Sequence, residues 1–493
     1  MRFALRCFGG GLALLALTAA TYTNPVLPGD HPDPTVVRAR GAYYLSATTS
    51  AWAPLFPIFR SNDLVNWREV GAVLPVAPKW ANGRFWAPEL SYDRGRFMAF
   101  FAASRPHGGP CIGVATAARA EGPWRDRGQA ACPPGGAIDP FAFRDRRGRR
   151  WLAWKARGPY GGIHLQRLDR QGVRVRGRSI RAIHPDQPWE QDVNEGPAIV
   201  WHGGAYYLFY SGGHCCRPPC SYAEGVARAR SITGPWQKAP APVLAGNDVF
   251  RCPGHGTVID LGPRGVWLVH HAYAAADVID ARRQVLLTRL TFGPDGWPQA
   301  AGGPPARADA PDGRDQAPPR AGFTDGFAGA VLKPGWEWLF DRPPVAAVRD
   351  GELELRCGRS LSFVARQVPV DRWVAVATID ARGGATVGLA ANLGRGVRGV
   401  ELTPAGVRAF THSPLGVRTG RVLRLGRART VRLAVSVAPG GALATYAAAG
   451  SGPLRRVPAG PAAQGSGPTR VALTCRRHGT ARIASVRVRP LTG

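Results

Sequence analysis

Long hydrophobic runs are absent from this sequence after residue 20. The N-terminus starts with the basic stretch Met1 to Arg6 and continues through an apolar run to small residues before Thr21. That run is shorter than the ~20 apolar residues that a bilayer span needs. Its pattern is typical of a secretory signal peptide, which we predict over residues 1–20. We therefore expect a secreted, soluble protein with no membrane contact once the signal is removed.

Lysine is also scarce. Lysine and arginine together number 64 and the formal net charge is +31, yet only Lys79, Lys155, Lys238 and Lys333 are lysines. The arginines are spread along the whole chain and form no recognisable nucleic-acid-reading motif, so we predict no nucleic-acid partner. We interpret the charge as a compositional property of the surface. Attraction to an acidic polysaccharide matrix is the second interpretation.

Cysteine is infrequent, and one of the nine, Cys7, falls in the predicted signal peptide. The other eight form an even set, which is typical of disulfide bonds outside the cytosol. They are Cys111, Cys132, Cys215, Cys216, Cys220, Cys252, Cys357 and Cys475. The alternative is a zinc site in segment 214–220, but adjacent cysteines lack the two-residue gap of zinc knuckles. We expect disulfides, with Cys357 paired to Cys475 in the C-terminal part.

One aromatic-rich phrase recurs five times in the first 300 residues. Each copy has a turn glycine followed by a strand that can be buried on both faces. The copies are residues 41–47, 95–101, 148–154, 204–210 and 265–271. Forty-five prolines and 63 glycines agree with many short strands joined by turns. The sequence therefore predicts an all-β protein.

A shorter strand, with a polar residue beside proline or glycine, precedes each copy. The polar residues are Asp33, Glu89, Asp139, Glu195 and His255, spaced 50 to 60 residues apart. Repeated all-β units of this length predict a five-bladed β-propeller, whose innermost strands line a central channel. The five side chains should then meet at one channel mouth. The alternative, that each one merely caps a turn, does not account for several acids and a histidine in register.

The pattern stops after Pro298. Residues 301–321 are rich in proline, alanine, glycine and aspartate, which predicts a linker. Residues 322–493 alternate Val, Leu and Ala with Arg and Thr, which is typical of a β-sandwich. We predict a propeller over 21–300 and a β-sandwich accessory domain over 322–493.

Four of the polar residues are carboxylic acids, and groups of this kind can share a glycosidase reaction. One carboxyl group must stay protonated to donate to the leaving oxygen, and another must be ionised to activate water. Enzymes that invert the anomeric configuration hold these two groups roughly 6.5–9.5 Å apart, a separation that opposite sides of a channel mouth can provide. A third carboxylate near the acid raises its pKa by like-charge repulsion.

The ordered motifs resemble glycoside hydrolase family 43. They are Asn24-Pro-Val-Leu-Pro-Gly-Asp-His-Pro-Asp33-Pro, Trp86-Ala-Pro-Glu-Leu, Ala137-Ile-Asp139-Pro-Phe, Asn194-Glu195-Gly-Pro-Ala and Cys252-Pro-Gly-His255-Gly-Thr. The resemblance covers residues 24–298. It implies that Asp33 is the general base, that Glu195 is the general acid, and that Asp139 tunes and orients the acid.

The resemblance also implies residues around the sugar. Trp86 corresponds to an aromatic group beside it, and Arg283 to an arginine that contacts its hydroxyls. His255 corresponds to a central histidine that orients a water or holds a calcium ion through waters. The reaction itself requires no cofactor. We expect Glu89 to be structural.

The C-terminal region resembles the concanavalin A-like sandwich that accompanies many β-xylosidases and arabinofuranosidases of this family. The similar residues include Trp336, Trp338 and the segment 351–355. The resemblance implies a secreted inverting hydrolase that removes arabinofuranosyl or xylosyl residues from arabinan or xylan-type polysaccharides. We favour an α-L-arabinofuranosidase. A β-xylosidase, an endo-arabinanase, a galactan-cleaving enzyme and a non-catalytic carbohydrate-binding propeller are the alternatives.

Overall fold

The computed structural model describes residues 20–158, 161–277, 282–318, 322–382, 384–392, 396–438, 442–458 and 470–491. Almost all regular structure in these ranges is β-strand, apart from two short 3-10 helices at Pro188–Glu190 and Gly262–Arg264. No helix in the described ranges is long and apolar enough to cross a membrane. The predicted signal peptide lies outside the described residues. The all-β prediction is confirmed.

Five antiparallel four-stranded sheets follow one another along the chain and form five blades. Blade 1 contains Thr35–Ala39, Ala42–Ser46, Leu55–Ser61 and Arg68–Leu74. Blade 2 contains Trp86–Asp93, Arg96–Ser104, Pro110–Ala117 and Arg125–Ala131. Blade 3 contains Ala137–Arg144, Arg150–Ala156, Gly162–Leu168 and Val175–Ile183. Blade 4 contains Glu195–His202, Ala205–Gly212, Ala223–Ala229 and Gln237–Lys238, and blade 5 contains Phe250–Asp260, Val266–Ala274, Gln284–Phe292 and Pro298–Gln299.

Buried side chains join each blade to the next. One cluster packs Phe56 of blade 1 against Phe101 of blade 2, and similar clusters lie between blades 2 and 3, 3 and 4, and 4 and 5. A fifth cluster joins Leu45 of blade 1 to Val269 of blade 5 and closes the ring. The aromatic-rich segments form the second strand of each blade. Both faces of this strand are buried, because each blade packs between two neighbouring blades. The five-bladed propeller is confirmed.

The ring is also tied by main-chain and side-chain hydrogen bonds at its seam. Strand Thr21–Thr23 pairs with strand Arg307–Asp309. The Asn24 amide donates to the Leu287 carbonyl at 2.9 Å and accepts from the Leu287 N–H at 2.9 Å. Part of the segment predicted as a linker is thus a strand that holds the N-terminal segment. The predicted domain limits remain predictions.

In every blade a residue in the left-handed backbone region lies where the chain enters the channel mouth. These residues are Asp33, Ala87, Asp139, Gly196 and His255. In blades 2 to 5 the residue lies at a β-bulge of the innermost strand. A bulge re-aims the side chain beside it, so these positions point their side chains differently from the rest of the strand. The register prediction for Glu89 is wrong: the equivalent residue of blade 2 is Ala87, and Glu89 lies two residues further into the strand.

Two further sheets form the C-terminal β-sandwich. The eight-stranded sheet contains Phe323–Asp325, Ala346–Arg349, Glu352–Cys357, Trp373–Asp380, Thr430–Val437, Leu443–Ala449, Arg455–Arg456 and Gly479–Pro490. The six-stranded sheet contains Ser362–Gln367, Thr386–Asn392, Val397–Thr403, Gly406–Ser413, Gly416–Thr419 and Arg470–Arg476. Their inner faces share one apolar core that includes Trp373, Leu389 and Leu473.

The eight cysteines form four disulfides, which confirms the disulfide prediction. The pairs are Cys111–Cys132, Cys215–Cys216, Cys220–Cys252 and Cys357–Cys475. The predicted pair Cys357–Cys475 is confirmed, and it links the two sheets of the sandwich. The predicted alternative, a zinc site in segment 214–220, is wrong because its three cysteines are all used in disulfides.

The sandwich packs directly against the propeller. Strand Trp52–Ala53, in a loop of blade 1, pairs with strand Trp338–Leu339. The Trp52 ring lies edge-on to Phe363, with centroids 6.1 Å apart. A cleft of about 1020 Å³ remains between blade 1 and the sandwich, and it extends to Thr48 and Arg283 at the channel mouth.

Candidate active site

Asp33 is buried at the channel mouth and is surrounded by hydrogen-bond donors and positive charge. Thr48 Oγ1 donates to Asp33 Oδ2 at 2.6 Å, and Arg283 Nη1 donates to Oδ1 at 3.0 Å. The Nδ1 atoms of His255 and His271 lie 3.4 Å and 3.5 Å from Oδ1. Burial alone raises the pKa of Asp33, but Arg283, His255 and the Thr48 hydroxyl outweigh it and hold this pKa well below its ordinary value. Asp33 is therefore ionised.

His271 is neutral and helps to orient Asp33. The Asp33 main-chain N–H donates to His271 Nδ1 at 3.0 Å, so this nitrogen acts as the acceptor. Burial, together with the nearby Arg283, lowers the pKa of His271 well below its ordinary value. A neutral imidazole is consistent with that hydrogen bond.

Thr48 connects Asp33 to blade 2. Its Oγ1 accepts a hydrogen bond from the Ala87 N–H at 2.6 Å. Trp86, the residue before Ala87, begins the innermost strand of that blade, and the Arg84 guanidinium lies 5.6 Å from its ring centroid. The hydroxyl that contacts Asp33 therefore also holds the main chain next to the predicted aromatic residue, Trp86.

Glu195 begins the innermost strand of blade 4, and both of its oxygens have partners. Lys155 Nζ, from blade 3, lies 2.5 Å from Oε2, and the Tyr222 hydroxyl donates to Oε1 at 2.8 Å. Burial raises the pKa of Glu195, but Lys155 and Tyr222 outweigh this effect and the pKa lies below its ordinary value. The carboxylate is thus fixed in one orientation.

The pKa of Asp139 is raised, in contrast to that of Glu195. Its Oδ2 accepts the Gly196 N–H at 3.1 Å, which places it next to Glu195 across the boundary of blades 3 and 4. Burial, then the negative charges of Glu195 and Asp33, raise the pKa of Asp139 to about 6, although His255 and Lys155 oppose the rise. Interacting acids titrate as a pair. Near neutral pH, the Asp139–Glu195 pair therefore lies close to the point at which it takes up one proton.

Two buried side chains of blade 4, Ser211 and Glu224, position His255. Its main-chain N–H donates to Ser211 Oγ at 2.7 Å, and Ser211 Oγ donates to Glu224 Oε2 at 2.8 Å. Burial raises the pKa of Glu224 to about 8, so this acid is neutral at physiological pH. The imidazole faces Asp33.

A cation held directly by protein atoms does not fit this site. In the described residues, no group of three or more His, Cys, Asp or Glu side chains is arranged to hold a metal ion. Asp33, the acid nearest His255, already carries the Arg283 guanidinium at 3.0 Å, which opposes a second positive charge.

The site brings together five of the predicted residues. Asp33, Asp139, Glu195, His255 and Arg283 converge at the mouth by the contacts given above. Glu89 does not join them. It is buried between blades 1 and 2, where it accepts a hydrogen bond from Thr35 Oγ1 at 2.6 Å, and burial raises its pKa to about 8.

Four contact residues were missed by sequence reasoning: Thr48, Lys155, Tyr222 and His271. Two of them left a signal in the sequence. Lys155 is one of only four lysines in an arginine-rich chain, and His271 follows His270 at the end of an apolar segment. Thr48 and Tyr222 lie in loops whose sequences carry no periodic pattern.

Known glycoside hydrolases are similar in sequence to this chain. The sequence model of Glycosyl hydrolases family 43 matches residues 22–298. Xylosidase/arabinosidase 43B of Humicola insolens is 29% identical over 57% of this chain and 55% of its own length. The extracellular exo-α-(1→5)-L-arabinofuranosidase ArbA of Cellvibrio japonicus is 29% identical over 58% of this chain and 91% of its own length. The chain spans about half the length of the first of these relatives.

Solved structures extend the similarity in fold to both domains. The GH43 protein BlXynB of Bacillus licheniformis superposes with a TM-score of 0.80 at 20% identity, over 96% of this chain and 100% of its own. Xylan β-1,4-xylosidase of Bacillus halodurans gives a TM-score of 0.78 at 21% identity, over 95% of this chain and 100% of its own. At these identities the likeness concerns the fold. Because the family match covers more than half of the sequence, the chain belongs to glycosyl hydrolase family 43.

Proposed function

We propose that this protein is an inverting glycoside hydrolase that releases arabinofuranose from the ends of plant cell-wall polysaccharides. One observation carries the proposal. A firmly ionised carboxylate, Asp33 on blade 1, faces a proton-holding pair, Asp139 and Glu195 on blades 3 and 4, across one channel mouth. Two carboxyl groups with opposed protonation on either side of a pocket are what glycoside hydrolysis requires.

In this proposal, Glu195 donates its proton to the glycosidic oxygen while the bond from that oxygen to the anomeric carbon breaks. Asp33 takes a proton from a water molecule, whose oxygen attacks the same carbon from the opposite face. Asp139 lies beside Glu195 and shares one proton with it, because two adjacent carboxylates repel each other when both are ionised. Trp86 packs beside the sugar, and Arg283 and His255 orient it and the attacking water.

The relatives support the substrate class. ArbA, which this chain covers almost completely, is named an extracellular exo-α-(1→5)-L-arabinofuranosidase, and this favours α-L-arabinofuranosides in arabinan-type polymers. A β-xylosidase is the second candidate. It is favoured by the likeness of both domains to a xylan β-1,4-xylosidase.

We also propose that the protein acts outside the cytosol. Four disulfides in one chain are typical of secreted proteins. The word extracellular in the name of ArbA points the same way.

The test uses methyl α-L-arabinofuranoside and methyl β-xyloside with the full-length protein, because the departure of a methoxide leaving group requires protonation. We expect Asp33→Asn and Glu195→Gln each to lower kcat at least about 100-fold, because general acid–base catalysis contributes at least that much. The controls Asp248→Asn and Glu121→Gln change exposed acids of blades 5 and 2 and should leave kcat unchanged. NMR of the first-formed product should show an inverted anomer.

Three results would contradict the proposal. Undiminished turnover in Asp33→Asn or Glu195→Gln would remove these acids from the reaction. A product with retained configuration would exclude the inverting mechanism. Wild-type protein that binds arabinan or xylan without hydrolysing either glycoside would be a carbohydrate-binding propeller.

A further inference from the structure

Lys155 connects two blades at the candidate acid. It lies in the second strand of blade 3, and its Nζ reaches Glu195 Oε2 of blade 4 at 2.5 Å. The side chain is largely buried. Burial alone lowers the pKa of Lys155, but Glu195 and Asp139 outweigh it and raise this pKa above its ordinary value. Lys155 is therefore a permanent cation beside the acid pair.

The other groups around Glu195 cannot replace this charge. Tyr222, from the same blade, gives a neutral hydrogen bond to Oε1. Asp139 of blade 3 is itself an acid. His255 of blade 5 lowers the pKa of Glu195 less than Lys155 does. Arg283 is engaged by Asp33, and Arg157 lies near enough to Lys155 to oppose its positive charge.

We propose that Lys155 is a positioning residue for the general acid. Its ammonium group fixes the Glu195 carboxyl and stabilises the negative charge that forms on Glu195 as its proton passes to the leaving oxygen. Lys155 itself transfers no proton: the proton moves from Glu195 to the glycosidic oxygen, and the water activated by Asp33 supplies the new hydroxyl. The inference rests on the proposed hydrolase function.

The residue type supports this role. The chain uses arginine for nearly all of its positive charge, yet a lysine occupies this position. An ammonium is a compact point charge with three rotatable donors, whereas a guanidinium is a planar fork. A compact cation can stay on Oε2 while the leaving oxygen approaches the same carboxyl group. By stabilising the conjugate base, Lys155 makes Glu195 a stronger acid. This effect matters most for poor leaving groups, because their departure requires proton donation.

The experiment compares Lys155→Met with wild type on two arabinofuranosides, one with a 4-nitrophenyl group and one with a methyl group as leaving group. The same pair of xylosides is used if the protein prefers xylose. We expect kcat/KM for the methyl glycoside to fall at least about tenfold, because its departure depends on protonation. The 4-nitrophenyl glycoside should change less than about threefold. The basic limb of the pH profile should move to higher pH, because removal of the cation raises the pKa of the acid pair.

Two other variants sharpen the result. Lys155→Arg keeps the charge and should keep the basic limb in place, whereas Lys155→Gln should repeat the effect of Lys155→Met if that variant does not fold. Lys79→Met removes an exposed lysine of the same propeller and should change nothing. An equal fall for both leaving groups, with the basic limb unmoved, would reduce Lys155 to a structural residue.

Failure of the proposed function is distinguishable from failure of this inference. If wild-type protein hydrolyses none of the glycosides, the hydrolase proposal fails. The effect of Lys155 on the acid pair is then read from carboxyl carbon NMR titrations of Asp139 and Glu195 in the free protein. An apparent pKa of the pair that rises in Lys155→Met supports the coupling, and an unchanged one overturns it.

Discussion

At the scale of single residues, the ionisation of Asp33 depends on its neighbours. Burial would favour the neutral acid, yet Arg283 at 3.0 Å and the hydroxyl of Thr48 at 2.6 Å favour the anion. A general base must be ionised to accept a proton, so its partners decide the lowest pH at which the enzyme works.

We therefore expect Arg283→Met to move the acidic limb of the kcat/KM profile to higher pH by about one unit or more, because loss of the guanidinium raises the pKa of Asp33. Arg283→Lys retains the charge and should move the limb less. The measurement is the pH dependence of kcat/KM in the three proteins. A limb that stays in place in Arg283→Met would show that Arg283 does not control Asp33.

Glu89 gives a prediction that does not depend on catalysis. Burial raises its pKa from an ordinary value of 4.5 to about 8 in the folded protein. Between these pH values the unfolded chain binds fewer protons than the native state, so stability falls as pH rises. The contribution of Glu89 is fully present below about pH 4.5 and is lost as pH rises through about 8.

Glu89→Gln cannot ionise and should remove this loss. We expect its free energy of unfolding, relative to wild type, to increase between pH 5 and pH 8 in urea titrations. The exposed substitution Glu121→Gln should show no such change. A difference between Glu89→Gln and wild type that is the same at both pH values would refute the raised pKa.

The residue scale also marks the limit of sequence reasoning. Asp33 and Asp139 were recognisable because each precedes a proline at one position of the repeat, whereas Glu195 lies one residue before that position. The same pattern misled at Glu89, because counting from motif to motif cannot locate a bulge. Lys155 contacts Glu195 from a neighbouring blade, and such a pair is set by blade packing rather than by any local pattern.

At the scale of elements, the left-handed bulge residue is the device that turns side chains into the mouth. In blade 4 this residue is Gly196, with φ +58°, and a Cβ there would meet His255 Cγ at 2.9 Å. Gly203 of the same blade has φ +53° but no heavy atom within 4 Å of such a Cβ. A comparison of alanine substitutions at the two glycines therefore distinguishes the effect of backbone strain from that of steric overlap with His255.

We expect Gly196→Ala and Gly203→Ala both to lose stability, by roughly 1–3 kcal/mol for the left-handed backbone. Only Gly196→Ala should also lower kcat, by about tenfold or more, because it displaces His255 from Asp33. Urea unfolding and initial rates provide the two readouts. Equal rates in both variants would show that the His255 position is not needed.

A second element, the segment before Tyr222, is held by the Cys220–Cys252 disulfide. Tyr222, Cys252 and Tyr273 form one buried cluster, with Cys215 and Cys220 packed on it. We expect the double variant Cys220→Ser with Cys252→Ser to lose activity through a mispositioned Tyr222. The matched pair Cys111→Ser with Cys132→Ser should lose stability of a few kcal/mol but keep its kcat per folded molecule. Equal kcat losses in both double variants would contradict this role.

At the scale of the whole molecule, the five blades were predictable because their motif recurs in the sequence every 50 to 60 residues. The sandwich was predictable from its alternating apolar and polar residues. The Cys357–Cys475 bond was predictable because these are the two cysteines of the C-terminal region. The way the sandwich joins the propeller was not, because it depends on short loop strands such as Trp52–Ala53 and on single side chains. Contacts of this kind carry no periodicity.

One such contact connects the sandwich to Asp33. Gln367 of the six-stranded sheet accepts the Asp30 N–H at 2.8 Å and donates to the Asp30 carbonyl at 3.3 Å. The Asp30 carboxylate in turn accepts the Arg283 N–H at 3.3 Å, and the Arg283 side chain holds Asp33. The two domains are thus joined at the residue that controls the general base.

We expect Gln367→Ala to lower kcat/KM about three- to tenfold, because small displacements of a catalytic group are costly. Its stability should fall by only about 1–2 kcal/mol, as for two lost hydrogen bonds. Gln299→Ala removes an exposed glutamine of blade 5 and serves as the control. A Gln367→Ala variant with wild-type kcat/KM and reduced stability would mean that the sandwich stabilises the propeller without shaping its site. Reduced kcat/KM with near-normal stability would make the sandwich part of the catalytic unit.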